Sequence, residues 1–158
     1  MHNQAIKGFT LMELLITMVV LVIILALATP SFKDAIERRH LEGAASSIHL
    51  GLQRAKSEAI KQNVAVTFEI TPGSDWCYGL VDNAGSCDCS ASDCTIDGQV
   101  VTVAGSEFDD VILTNANGGD ITFDKVVGLP DATPTYTVTL NSNTRTISVN
   151  AAGLITTN

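Results

Sequence analysis

The sequence predicts an α+β protein: one long N-terminal helix, partly transmembrane, packed on an antiparallel β-sheet head. Three observations predict it. Residues Phe9 to Thr29 form a 21-residue apolar stretch with a single charge, Glu13. Beyond Ser31, apolar side chains recur at helical spacing. From Val64 the apolar period changes to two, and short strand-like pieces alternate with Gly, Asn, Asp and Pro turns. A helix followed by a run of strands is the α+β pattern.

Composition bounds the function before any motif is read. A chain of 158 residues supports one domain with a real core and rules out a multidomain enzyme. Only 16% of residues are charged and the mean hydropathy is +0.26, an excess for which the apolar stretch accounts in large part. Residues 1–70 carry seven Lys/Arg and six Asp/Glu, net +1, whereas residues 71–158 carry Lys125, Arg145 and eleven acidic side chains, net −9. That acidic half repels phosphate backbones, which argues against general nucleic-acid binding through it.

At about 1.5 Å per residue the apolar stretch is roughly 32 Å long as a helix, close to the roughly 30 Å hydrocarbon core of a bilayer. A secretory signal would have an apolar run of about 7–15 residues, shorter than this one, although Ala26 and Ala28 offer small residues before Thr29 and Pro30. Two features are unusual for a plain anchor: a polar octapeptide, Met1 to Gly8, and the carboxylate of Glu13, which costs a few kcal/mol in a membrane unless paired. The run K-G-F-T-L-M-E, Lys7 to Glu13, resembles the class III leader of type IV prepilins and pseudopilins. The resemblance implies that a prepilin peptidase cuts between Gly8 and Phe9 and that the new N-terminus, Phe9, is N-methylated. It also implies a partner for Glu13, the free amine of a neighbouring subunit's Phe9, and a helix kink at Pro30. Physically, Pro30 removes one backbone hydrogen bond and clashes with the preceding turn, or it opens a helix as its first residue.

From Ser31 to Gln62 there are few breakers, and Leu41, Ala45, Ile48, Leu52, Ala55 and Ala59 form one helix face. Arg38, Arg39, Arg54, Lys56 and Lys61 take the opposite face. The small residues of the stripe suit close packing on a sheet. Gly43 and Gly51 weaken the helix by roughly 1 kcal/mol each, which tertiary packing can offset. Residues 1–8 are thus expected as a cleaved leader, 9–29 as the membrane and filament-core helix, 30–62 as its amphipathic extension and 63–158 as the head.

In the head, Val64, Val66, Phe68 and Ile70 alternate with more polar neighbours, the pattern of a half-buried strand. Further pieces run from Trp76 to Val81, Gln99 to Ala104, Val111 to Thr114, Asp120 to Phe123, Thr135 to Leu140 and Thr144 to Asn150, with turns such as Pro72-Gly73 and Asn117-Gly118-Gly119. Tyr136, Val138 and Leu140 opposite Ile147 and Val149 read as a terminal hairpin. The segment L-Q-R-A-K-S-E-A-I-K-Q-N-V-A-V, Leu52 to Val66, resembles the helix end of the GspH/FimT group of minor pilins and pseudopilins, with Lys56 where the group usually has Arg. The run from Phe123 through Gly128 to Gly153 is similar to that group as well. The resemblance implies a type IV pilin-like fold.

Cys77, Cys87, Cys89 and Cys94 lie within 18 residues of a Gly/Asp/Ser-rich loop, in a part of the chain expected outside the cytoplasm. Four cysteines in an oxidising compartment suggest two disulfides. A bond between Cys87 and Cys89 closes too small a ring, which leaves Cys77–Cys87 with Cys89–Cys94, or Cys77–Cys89 with Cys87–Cys94. The C-x9-C-x-C-x4-C spacing lacks the paired knuckles of a zinc site, and Asp82, Asp88, Asp93 and Asp97 match no D-x-D-x-D-G calcium loop, so no metal or cofactor is expected.

No catalytic constellation is visible. His40 and His49 stand nine apart rather than four, and no G-x-S-x-G, H-E-x-x-H or phosphate loop is present. Trp76 and Tyr78 read as core and sheet-surface residues. The resemblance therefore implies a structural minor pilin of a type IV pilus. Its expected partners are other pilin or pseudopilin subunits, prepilin peptidase and an inner-membrane assembly platform. The head would be periplasmic before assembly and at the cell surface in the pilus afterwards. The alternatives are a minor pseudopilin of type II secretion and a DNA-uptake receptor of the FimT kind. The latter group uses a G-R-x-R motif near the C-terminus, where this chain has Gly153-Leu154-Ile155-Thr156.

Overall fold

The computed structural model describes residues 9–83, 85–115 and 119–158; the side chains of residues 27–31 and 115 are outside the description. It comprises two compact units, up to Ile36 and from Glu37 onward. One α-helix, α1 (Leu11–Gln62), supplies the first unit and the opening of the second. Among the described residues no helix is long and apolar enough to cross a membrane. The expected apolar span runs into residues 27–31, and Pro30 with its expected kink lies among them.

In the second unit the helix stripe expected from spacing becomes the core. Leu41, Ala45, Ile48, Leu52, Ala55 and Ala59 are all buried, joined by Ala44. Asn63, at φ 55, ends the helix in the left-handed conformation and hands the chain to the strands.

The strands are β1 (Val66–Thr71), β2 (Cys77–Asp82), β3 (Thr95–Ile96), β4 (Gln99–Val100), β5 (Thr102–Ala104), β6 (Ile112–Asn115), β7 (Ile121–Phe123), β8 (Thr135–Leu140), β9 (Asn143–Val149) and β10 (Ile155–Thr157). They form two four-stranded antiparallel sheets, β5-β2-β1-β7 and β10-β9-β8-β6, and a small β3-β4 ribbon. Val66, Phe68, Leu80 and Ile121 of the first sheet and Tyr136, Val138 and Ile147 of the second share one core with the helix stripe. Gly73 and Leu113 exchange backbone hydrogen bonds at 2.9 and 3.0 Å, tying the sheets together.

Three expectations change. The antiparallel head comprises two four-stranded sheets rather than one. Gln99 to Ala104 is not one strand: Val101 donates to Cys94 O and accepts from Leu80 N, so the chain leaves β3 and joins β2 at that residue. The β8–β9 hairpin turns at Asn141, φ 54, with Tyr136 opposite Ile147, but it is not terminal. Strand β10 follows and pairs with β9, placing Ile155 against Val149.

Candidate functional site

The first unit presents the expected assembly segment. Thr10 caps the helix: its hydroxyl accepts from Glu13 N at 3.2 Å and its carbonyl from Glu13 N and Leu14 N at 3.1 Å. Glu13 therefore sits in the first turn, where the helix dipole favours a carboxylate. Phe9 precedes the helix and is exposed; Gly8 is outside the described residues. From Leu11 to Ile24 every large apolar side chain is exposed, from 49% at Val20 to 83% at Leu11, on all sides of the helix. A soluble helix buries one apolar stripe; one that is apolar all round requires an apolar environment or other helices.

In the second unit, most of the charged helix face reaches solvent, with one exception. Lys56 is half-buried and donates from Nζ to Gly153 O at 2.9 Å. His49 lies between Gln53 and Thr157, 2.8 and 3.0 Å away, and so fastens the helix to β10. His40 is half-buried on the same helix. Arg145 pairs with Glu42 at 3.4 Å.

Gly51 and Gly43 have a packing reason that helix propensity did not reveal. A Cβ on Gly51 would sit 2.6 Å from the Tyr78 ring and 2.9 Å from the Phe68 ring, and one on Gly43 would meet Phe108 at 3.0 Å. The Tyr78 hydroxyl donates to Ser47 O at 2.9 Å. The stacked rings of Phe68 and Tyr78 thus lie directly on the helix backbone. Their appearance opposite a glycine within an apolar stripe is the signal that could have located this contact.

The cysteine loop is held by two disulfides, Cys77–Cys89 and Cys87–Cys94, one of the two arrangements that spacing allows. Tyr78 and Leu80 face the helix, so by strand alternation Cys77 and Gly79 face outward, and the cystines cover them. A Cβ on Gly79 would collide with Cys94 Sγ. Glu69, on the same outward face, accepts from Cys87 N at 3.3 Å. Burial, and then the neighbouring Asp120 carboxylate, push its carboxyl above the ordinary value.

Cys87, Asp93 and Cys94 bring ligand-type atoms within 4.8 Å of one another, but both sulfurs belong to one disulfide and neither is a thiolate. Three of the four loop carboxylates, those of Asp82, Asp88 and Asp93, accept hydrogen bonds from within the loop region. Asp82 accepts from Asp97 N at 3.0 Å, and Asp93 from Asp88 N at 2.6 Å. Asp88 accepts from Ser90, whose hydroxyl and amide hold its carboxyl below the usual carboxylate range.

An exposed apolar helix segment with one carboxylate in its capped first turn, ahead of a head built of a helix on antiparallel sheets, defines a type IV minor pilin or pseudopilin. The Prokaryotic N-terminal methylation motif matches residues 3–29, and the family described as Type II transport protein GspH matches residues 44–153. The chain belongs to the GspH family. Its fold is similar to the type IV minor pilin FimU of Pseudomonas aeruginosa strain PAO1, with a TM-score of 0.59 at 22% identity over 77% of this chain and 90% of that one. A second crystal form of FimU gives 0.55 at 20% identity, over 75% and 92%. Curated proteins give no match.

Proposed function

We propose that this chain is a structural minor pilin of a type IV pilus, incorporated at the tip or along the shaft. In this reading Phe9–Thr29 anchors the chain in the inner membrane, with the head on the periplasmic side, until the assembly platform draws it into the filament. Prepilin peptidase removes residues 1–8 and methylates Phe9; Glu13 then pairs with the amine of a neighbouring subunit. The observation that carries the reading is the apolar helix from Leu11 to Ile24, exposed on all sides in a chain whose methylation motif spans residues 3–29. Lateral packing into a bundle of like helices would bury what the single chain leaves exposed. The disulfide-held loop agrees with a head in the oxidising periplasm or outside the cell, as a pilus subunit and a type II secretion pseudopilin would both have it. A DNA-receptor role has little to rest on: the terminal arginines are absent, and Arg145 is engaged with Glu42.

Co-expression with a prepilin peptidase tests the reading. N-terminal sequencing and intact mass should show a chain beginning at N-methylated Phe9, and Gly8→Val should leave it uncut. A mature start near Thr29 would falsify the proposal.

A further inference from the structure

Single apolar side chains are scattered over most protein surfaces, but this head gathers most of its own in one place. Of the large apolar side chains exposed from Glu37 onward among the described residues, Leu50, Val100 and Ile112 are on α1, β4 and β6, and the rest belong to one junction. They are Ile60 in the helix, Val126, Val127 and Leu129 in the turn after β7, and Leu154 in the turn before β10. A Cβ on Gly128 would lie 2.9 Å from Ile60, and one on Gly153 would lie 3.0 Å from Gly128 O. The two turns therefore meet over the end of the helix. Beside them, Gln53, Ile60, Gly153 and Leu154 line a groove of about 410 Å³. Gln53 Nε2 is bonded to His49 at 2.8 Å and Lys56 Nζ to Gly153 O at 2.9 Å, so the groove offers apolar contact more than free polar groups.

The turn after β7 is held from within. Asp124 N donates to Leu129 O and Gly128 N to Asp124 O, both at 2.9 Å, and Asp131 N donates to Thr122 O at 3.0 Å. Val126 N donates to Asp124 Oδ1 at 2.9 Å and Thr122 N to Asp131 Oδ1 at 2.8 Å. Val126 and Val127 therefore stand exposed on a fixed frame, which lowers the ordering cost of docking. Around them the charge is positive in an otherwise acidic head. Lys125, one of two basic residues after residue 70, is exposed and makes no hydrogen bond or ion pair among the described residues. Lys56 and Lys61 stand beside Ile60 on the helix. The carboxylates nearby are already occupied: Glu58 accepts from Lys61 and Gln62, and Asp124 from Val126 N.

We infer that this junction docks the head of a different pilin or pseudopilin subunit, one that presents an apolar side chain with carboxylates beside it. The apolar centre supplies the anchor, and the lysines select an acidic rim. A second copy of this chain fits badly. Face to face it would set lysine against lysine, and head to tail the contact would repeat along the filament, unlike that of a minor subunit. An anionic bilayer fits badly too, since residues 71–158 carry net −9. The class of partner rests on the filament reading above; the surface rests on its geometry and charge.

The test uses the full chain in the cells that make it, with p-benzoylphenylalanine in place of Val126. Light should give a covalent adduct with another protein. Mass spectrometry should identify that protein as one with its own N-terminal methylation motif, linked through a peptide that holds Asp or Glu beside an apolar residue. Val127→Asp with Leu154→Asp should lower the yield about tenfold and Lys125→Glu about threefold, whereas Val100→Asp on β4 should leave it unchanged. Melting and intact disulfides check that each variant folds, and Lys125→Glu, at an exposed side chain, carries the test if the double variant does not. Adducts to lipid, to a second copy or to a protein without the motif, yields that ignore these variants, or no adduct at all, overturn the inference. The chain's N-terminus, read in the same sample, reports on the filament reading separately: a chain processed at Phe9 that gives no such adduct overturns only this contact, and a chain left unprocessed overturns the filament reading.

Discussion

Lys56 Nζ donates to the carbonyl oxygen of Gly153 at 2.9 Å, joining the last turns of the helix to the turn before β10, 97 residues away. Gly153 holds φ +70, and a Cβ there would lie 2.9 Å from Lys56 Nζ and 3.0 Å from Gly128 O. Gly128, at φ +66, presses on the Lys56 stem and on Ile60 in the same way. Two left-handed glycines thus let two turns close around one lysine.

Gly153→Ala should therefore cost more than the loss of a flexible residue. Left-handed strain in an alanine and the collision with a backbone oxygen together predict a loss of about 1–3 kcal/mol, read as a lowered midpoint in denaturant at unchanged slope. Stability equal to that of the parent protein would show that this junction adjusts freely.

Glu13→Val separates membrane insertion from assembly. The change removes the one charged group from an apolar helix, so insertion and leader cleavage should be retained or improved, while incorporation into filaments falls. Immunoblots of membrane and sheared-filament fractions measure both. Normal incorporation would remove the pairing argument.

Glu69 predicts a pH dependence whose sign follows from its raised carboxyl. A raised acid in the folded state binds its proton more tightly there than in the unfolded chain. Its contribution is present in full below the ordinary value of 4.5 and is lost as pH rises through the folded value. Glu69→Gln keeps an oxygen to accept from Cys87 N and removes the charge. The variant should melt above the parent at pH 7, with the gap closing as pH falls below 4.5. A pH-independent gap would contradict the assignment.

Replacing Cys77 and Cys89 together by Ala should open a loop with a sequence separation of 12, and replacing Cys87 and Cys94 one of 7. Loop-closure entropy assigns about 2–3 kcal/mol to each bond, measurable by denaturant titration of the oxidised variants. Two disulfides make the unreduced parent chain four hydrogens lighter than the reduced one.

The sequence by itself determined the parts of this protein that depend on local spacing. Leu41 to Ala59 form the buried stripe because helical period alone decides which side chains share a face, and Tyr136 meets Ile147 because strand alternation and a short turn decide a hairpin's register. The N-terminal methylation motif over residues 3–29 is legible for the same reason: it is contiguous. Tertiary structure alone decided what joins distant segments. The second disulfide arrangement, Lys56 on Gly153, Gly51 under Tyr78 and Phe68, and the division into two sheets are contacts between residues far apart in the chain. Strand β10 escaped notice because I-T-T is too short to show a period. Its place is fixed by hydrogen bonds to β9 and by His49 on Thr157, and those partners exist only once the chain has folded.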